Sequence, residues 1–264
     1  MITNPVIDAM MRRKSIREYR DEPVPDDVIE TVVLAGQRAP FAAQMGSVLL
    51  SRRAEKNPFR APLLFTICAD VHRLERIMAY RGWRLKTNDL SILLFAIQDA
   101  CYMAENMVIA AESLGLGSCY LGAAPYIAAT LRKEYEVPEH VFPVVQLTMG
   151  YPSEDPPTRP RYPVSFHCFE NEYAEMDEES VREAARVMDD GYLAQDYYRR
   201  AGYMVELTGN REETFTFDDY SWTEHMGRKW GQWYETPNEL LEALEACGFD
   251  VALREEVEDE DDEA

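Results

Sequence analysis

Apolar positions recur every three or four residues along most of this chain, and short runs rich in apolar or β-branched residues break that rhythm. The first helical pattern opens at Asn4-Pro5, an N-cap followed by a proline whose missing N–H costs nothing at the first helical position, and runs to about Arg12. Pro23 and Pro25 mark a turn, after which Asp26 to about Gln37 predicts a second helix with Val28, Val32, Val33 and Ala35 inward. Ser47–Arg52, Leu63–Ala69 and Val141–Met149 predict strands, the last ending at Gly150.

The longest helical signal runs from Asp89 to Leu114. Its polar residues fall into two sets at a spacing of seven, Ser91, Gln98, Glu105, Glu112 and Asp99, Asn106, Ser113. Seven residues are nearly two turns, so both sets form one narrow stripe on an otherwise apolar rod. The charged residues are expected to rule out a membrane span. Two enclosures suit such a rod: its own sheet, or a second subunit. A helix stop at Gly115 or Gly117 and a short strand follow.

After Tyr162 the composition changes. A Glu/Arg/Ala helix starts at Asp177, aromatic stretches follow at Gly191–Tyr203 and Tyr220–Tyr234, and Thr236-Pro237-Asn238-Glu239 forms a capping box. That box launches a last helix to about Cys247, closed by Gly248. The expected organisation is a core at 1–163, a helical, aromatic-rich extension at 164–254 and a disordered acidic tail at 255–264.

Charge narrows the partners. The 264-residue chain carries a formal charge of −21, and Glu255–Ala264 holds eight of its acidic residues. Neither a nucleic acid nor an anionic membrane is the expected partner. The five cysteines are widely spaced with no C-x-x-C pair, and the N-terminus has no charged-then-apolar leader, so a reducing cytoplasm is expected. The four histidines have no ligand spacing, and no metal is expected.

Three stretches could carry chemistry. In Arg13-Lys14-Ser15-Ile16-Arg17, an extended backbone would place Arg13, Ser15 and Arg17 on one side, lining a groove suited to a phosphate and a polar ring edge. A solvated basic loop is the competing reading. Arg159-Pro160-Arg161 repeats the alternation and pairs with the first stretch as an anion site, against plain surface charge. The third, Gly115 to Ala123, is glycine-rich but lacks G-x-G-x-x-G spacing and follows a helix, so a Rossmann reading is poor. Trp222, Met226, Trp230 and Trp233 have approximate helical spacing. They form either an apolar face docking the extension or a wall over a partner's cofactor.

In this order the stretches resemble the FMN-dependent nitroreductase family. The resemblance rests on R-K-S-I-R-x-Y at Arg13–Tyr19, Ala39-Pro40 and A-A-E-S-L-G-L-G-S-C at Ala110–Cys119. It continues through the Val137–Pro152 segment to R-P-R at Arg159–Arg161, and covers roughly residues 5–163. It implies an α+β fold with a central mixed, mainly antiparallel sheet between helices, and an intertwined homodimer sharing two FMN sites. By motif position Arg13 and Arg161 would hold the FMN phosphate with Arg159 nearby, and Ser15 would meet the ribityl chain or phosphate. Arg17 would reach the pyrimidine edge and favour negative charge on the reduced ring. The backbone of Leu121, Gly122 and Ala123 would face the flavin N5. Gln44 stands where family members commonly carry Asn, and the Gln-Pro that follows in them is absent. No side chain is expected to act as a catalytic nucleophile. The implied activity is NAD(P)H-dependent reduction of nitroaromatic, quinone-like or similar electron-poor small molecules. Relatives on this scaffold also perform dehydrogenation, dehalogenation and flavin fragmentation, and a non-catalytic flavin-binding module is the third reading.

Overall fold

The computed structural model describes residues 2–232 and 237–251. The chain divides into two compact units, Met1–Pro156 with Pro237–Ala264, and Pro157–Thr236.

The first unit is built on a four-stranded sheet of β1 (Gly46–Ser51), β2 (Leu63–Asp70), β3 (Gly117–Leu121) and β4 (Val141–Gly150), in the order β1-β2-β4-β3. All three pairings are antiparallel, with Gly46 opposite Ala69, Leu63 opposite Met149 and Gly117 opposite Gly150. Among the described residues the one parallel pairing is an isolated bridge between Ser15 and Ser118. The β2–β4 register shifts between Ile67 and Cys68, which face Val145 and Pro143. A proline has no N–H to give the ladder, and the irregularity lets it sit in a central strand.

Helices α1 (Pro5–Arg12) and α2 (Asp26–Gly36) precede the sheet, and α3 (His72–Tyr80), α4 (Asp89–Ser113) and α5 (Ala128–Glu134) interleave with it. Asn4 caps α1 through its side-chain oxygen, which accepts from the N–H groups of Val6 and Ile7. In α2 the buried set is Ile29, Val32 and Gly36, one position away from part of the expected face.

The core lies between α4 and the sheet, where Ala100, Met103, Ala104, Met107, Val108 and Ala111 meet Leu63, Phe65, Ile67, Leu147 and Met149. By length and composition α4 could cross a membrane, with a mean hydropathy of 1.4 over its best window. Its charges therefore do not exclude a span, contrary to the sequence argument. Half of that window is buried inside the chain. The stripe also needs correction. Asp99 is buried and accepts from the backbone N–H groups of Ala42 (2.6 Å), Ala43 (3.1 Å) and Met45 (2.9 Å). The apolar Leu90, Leu94, Phe95 and Tyr102 are instead exposed. A buried carboxylate is tolerated here because three donors satisfy it.

Helix α9 in this structure (Pro237–Ala246) belongs to the first unit, not to an extension. Ala243, Leu244 and Cys247 join Met45, Ala69, Leu93 and Phe142 in a second apolar cluster, and burying them fixes this helix on the core. The expected tail at 255–264 lies outside the described residues.

The second unit holds α6 (Glu178–Ala194), α7 (Tyr197–Ala201) and α8 (Trp222–Gln232). Asp177 caps α6 by accepting from the Ser180 N–H. Tyr198, Tyr220 and His225 pack as rings, with Tyr198 and His225 stacked at 4.7 Å. Arg228, 3% exposed, is clamped by Glu213 and Glu224 and lies over the rings of Phe215 and Tyr220. The tryptophan run does not make one buried face. Trp222 meets Tyr162 edge-on, Trp230 is exposed, and Trp233 lies outside the described residues.

Candidate functional site

The segment after α1 is extended and pinned to the sheet. Ile16 N–H donates to the Ser118 carbonyl (2.9 Å), and Arg20 N–H donates to that of Tyr151 (2.9 Å). The Tyr19 hydroxyl donates to the Ile16 carbonyl (2.7 Å) and meets Thr148 Oγ1 at 2.8 Å. Ile16 is buried, while Ser15 is half-buried and Arg17 exposed, as alternation in an extended strand requires.

Glu154, which the sequence reading missed, sets the height of Arg17. Its Oε1 accepts from the N–H groups of Arg17 (2.5 Å) and Glu18 (3.1 Å). Nothing in the local sequence distinguishes Glu154 from other loop carboxylates, and only the fold brings it there. Lys14, also missed, is paired with Asp155.

Arg13, at the end of α1, lies in the field of Glu112 and Tyr120. Burial pushes the Glu112 carboxyl upward, against the pull of Arg13, Lys14 and Arg12, and its Oε1 has no hydrogen-bond partner among the described residues. Burial likewise raises the Tyr120 phenol. Among the described residues neither Arg13 nor Arg17 forms an ion pair, and the Arg17 guanidinium sits 6.0 Å from the Phe59 ring centre. Arg17, Phe59, Arg60, Arg20 and Arg52 line an open cleft of 630 Å³.

Strand β3 ends at Leu121, leaving Gly122 and Ala123 exposed. A Cβ at Gly122 would meet nothing within 4 Å, so the backbone is open to close approach. Gln44 lies elsewhere. It lines a separate recess with Pro40, Phe41 and Arg73, holds φ at +53°, and passes its carbonyl to Arg73. The structure thus brings Arg13, Ser15 and Arg17 beside β3, and leaves Gln44 at another recess of the same unit.

Arg159 and Arg161 belong to the second unit and differ. Arg159 donates to Gln195 Oε1 (2.8 Å) and lies 4.0 Å over the Tyr197 ring, so its guanidinium is engaged inside that unit. Arg161 is exposed and donates only to the carbonyls of Arg159 and Pro160 among the described residues. Those same residues include no cluster of three or more His, Cys, Asp or Glu placed to hold a metal.

This donor set fits a phosphorylated flavin. In a chain with 48 Asp and Glu against 27 Lys and Arg, guanidinium groups left without a carboxylate stand ready for an exogenous anion. The half-buried hydroxyl of Ser15 and the uncovered backbone at Gly122 lie along the same stretch of β3.

The model of the nitroreductase family matches residues 10–53 and 49–151. The oxygen-insensitive NADPH nitroreductase of Salmonella typhimurium is 28% identical over 239 residues, spanning 85% of this chain and 90% of that protein. An FMN reductase [NAD(P)H] of Bacillus subtilis is 30% identical over 191 residues, spanning 66% and 77%. The solved structure of B. megaterium NfrA2 superimposes with a TM-score of 0.78 at 25% identity, covering 94% of this chain and 98% of that one. The α+β fold, the motif segments docked on β3 and these matches agree, and the chain belongs to the nitroreductase family.

Proposed function

We propose that this chain is an FMN-dependent oxidoreductase that takes electrons from NAD(P)H and passes them to nitroaromatic, quinone-like or similar electron-poor small molecules. The observation that carries this reading is the docking of Arg13, Ser15 and Arg17 beside β3, with both guanidiniums unpaired by any carboxylate among the described residues and Gly122 open at the strand end. The names of the relatives, an NADPH nitroreductase and an FMN reductase, support it.

Arg13 and Ser15 would hold the phosphate and ribityl end, and Arg17 the pyrimidine edge. Arg161 is assigned to the phosphate by motif position alone. Arg159, engaged by Gln195 and Tyr197, would act by shaping the Arg161 backbone. When bound, FMN supplies hydride acceptance from the nicotinamide and electron transfer to the acceptor. The residues bind and orient it, and Arg17 contributes a fixed positive charge where negative charge develops. The backbone of Leu121, Gly122 and Ala123 would face the reactive edge, with no side chain at Gly122 to hold it off.

The working species is a homodimer. Leu90, Leu94, Phe95 and Tyr102 expose an apolar face on α4 whose burial by a second copy would contribute roughly 25 cal/mol per Å². Gln44 would then serve the partner's flavin from its separate recess. A reducing cytoplasm suits five cysteines that are all unbridged.

An absorption spectrum of the purified protein, with the released flavin identified chromatographically, tests the cofactor. Oxidation of NADH or NADPH in the presence of a nitroaromatic acceptor tests the reaction. Bound FAD in place of FMN, or FMN without turnover of either nicotinamide, would overturn the corresponding part.

A further inference from the structure

The helix–turn segment at residues 72–86 runs against the charge of the whole chain. It holds Arg73, Arg76, Arg81, Arg84 and Lys86 against the single acid Glu75, in a protein of net charge −21. Glu75 is taken up by His140, and Arg73 by Asp70 and the carbonyl of Gln44. Arg76, Arg81, Arg84 and Lys86 are exposed and form no ion pair among the described residues. Between them Ile77, Tyr80 and Trp83 are 63%, 87% and 70% exposed. Large apolar groups set among unpaired cations mark a surface shaped to be covered.

The C-terminal end of the described chain arrives beside this segment. Val251 packs against the same apolar cluster as Leu74 and Leu85, which lie on either side of the exposed aromatics in sequence. The ring of Phe249 lies 5.4 Å from that of His140, the partner of Glu75. The Asp250 N–H donates to Asp89 Oδ2 at 2.6 Å, at the start of α4. After Ala252, Leu253 and Arg254 comes the sequence Glu255 to Glu263, with eight acids and no base.

We propose that the acidic segment Glu255–Glu263 docks on the basic, aromatic face of residues 72–86 in its own chain. Reach is sufficient: an extended chain spans about 3.3–3.6 Å per residue, so Glu255 lies within about 14 Å of Val251. A nine-residue helix such as α3 is about 14 Å long, so the following acids cover it. Each exposed pair is weak. The short tether gives a local concentration on the order of millimolar, so several weak pairs acting together hold the segment in place. The contact withholds this face from other polyanions.

Zero-length carbodiimide coupling of the full-length protein tests this, because Lys86 is the one amine on the face. Peptide mapping should find Lys86 joined to an acid of Glu255–Glu263 within one chain, as judged from a co-expressed mixture of heavy and light isotope-labelled chains. The product should fall several-fold at 1 M salt, where the screening length shrinks to about 3 Å. A chain ending at Arg254 should show about twofold greater acrylamide quenching of the Trp83 component, assigned with Trp83→Phe, because a covered ring of this exposure would be freed. Absence of the Lys86 product while Lys86 still reacts with an amine reagent would overturn the proposal. So would coupling only between chains, or equal quenching with and without the segment.

Discussion

Ile16 lies directly under Gly117: a Cβ added to Gly117 would come within 2.5 Å of Ile16 Cγ1 and 3.0 Å of Ile16 Cβ. The residue that anchors the Ser15–Arg17 segment therefore depends on the absence of a side chain at the first position of β3. Both belong to the stretches that carry the family resemblance, and their proximity explains why a glycine is needed there.

Gly117→Ala is expected to destabilise the fold by about 1–3 kcal/mol, because Ile16 is β-branched and cannot rotate away cheaply. It should also lower FMN content by lifting Ser15 and Arg17. Ile16→Ala removes Cγ1 and Cγ2, so Gly117→Ala should cost less of both in that background than in the wild type. Chemical denaturation and flavin content of the single and double variants measure this, and an equal cost in both backgrounds would place the strain elsewhere.

Arg17 and Glu154 divide a role between side chain and backbone. Arg17→Ala should slow flavin reduction more than it lowers FMN occupancy. Glu154→Ala takes the acceptor from two exposed N–H groups, which water can then satisfy, and should cost only about 0.5–1.5 kcal/mol of stability. Glu154→Gln keeps one acceptor oxygen and should retain more of the wild-type rate. Stopped-flow reduction of FMN-saturated variants separates the effects, and a wild-type rate for Arg17→Ala would displace Arg17 from the ring edge.

Arg159 and Arg161 should fail differently. Arg161→Ala would remove the proposed charge-assisted contact to the phosphate, worth about 1.5–3 kcal/mol, so FMN affinity should drop by roughly one to two orders of magnitude with the melting temperature of the flavin-free protein unchanged. Arg159→Ala removes the Gln195 hydrogen bond and the Tyr197 ring contact, and should lower the melting temperature first. Flavin titration beside thermal unfolding distinguishes them. Retention of full affinity by Arg161→Ala would sink its assignment.

The His140–Glu75 contact gives stability a pH dependence. Burial opposes the charged imidazole, but the hydrogen bond and charge of Glu75 outweigh it, so His140 titrates above its ordinary value. A raised folded value means the contribution is complete below the unfolded value of about 6.5 and is lost as pH rises through the folded one. Melting temperature should fall over that range, and Glu75→Gln should flatten the dependence. An unchanged slope in Glu75→Gln would assign it to another group.

The basic alternation at Arg13–Arg17, the strands and the length of α4 were all legible in the sequence, because each is a local pattern of spacing and charge. Helix α3 was not, although it carries the most exposed aromatic side chain among the described residues, Tyr80. It has no buried residue to set an apolar period. Asp99 looked like part of a polar stripe, since a sequence cannot say that three backbone N–H groups from residues 42–45 will converge on one carboxylate.

The ordered motifs of the sequence carried the resemblance to the family and, through it, the kind of ligand, because the guanidinium alternation around Ser15 fits a solvated basic loop as well as an anion groove. Tertiary structure decided which arginines are available. Arg159 and Arg161 flank a single proline and are identical in type, yet a ring and an amide occupy the first and, among the described residues, only carbonyls meet the second. The same holds for the last helix, which sequence order placed in an extension. Its apolar residues gain more by joining Met45 and Phe142 in the core than by remaining beside their neighbours in the chain, since burial depends on which surfaces meet rather than on which residues are consecutive.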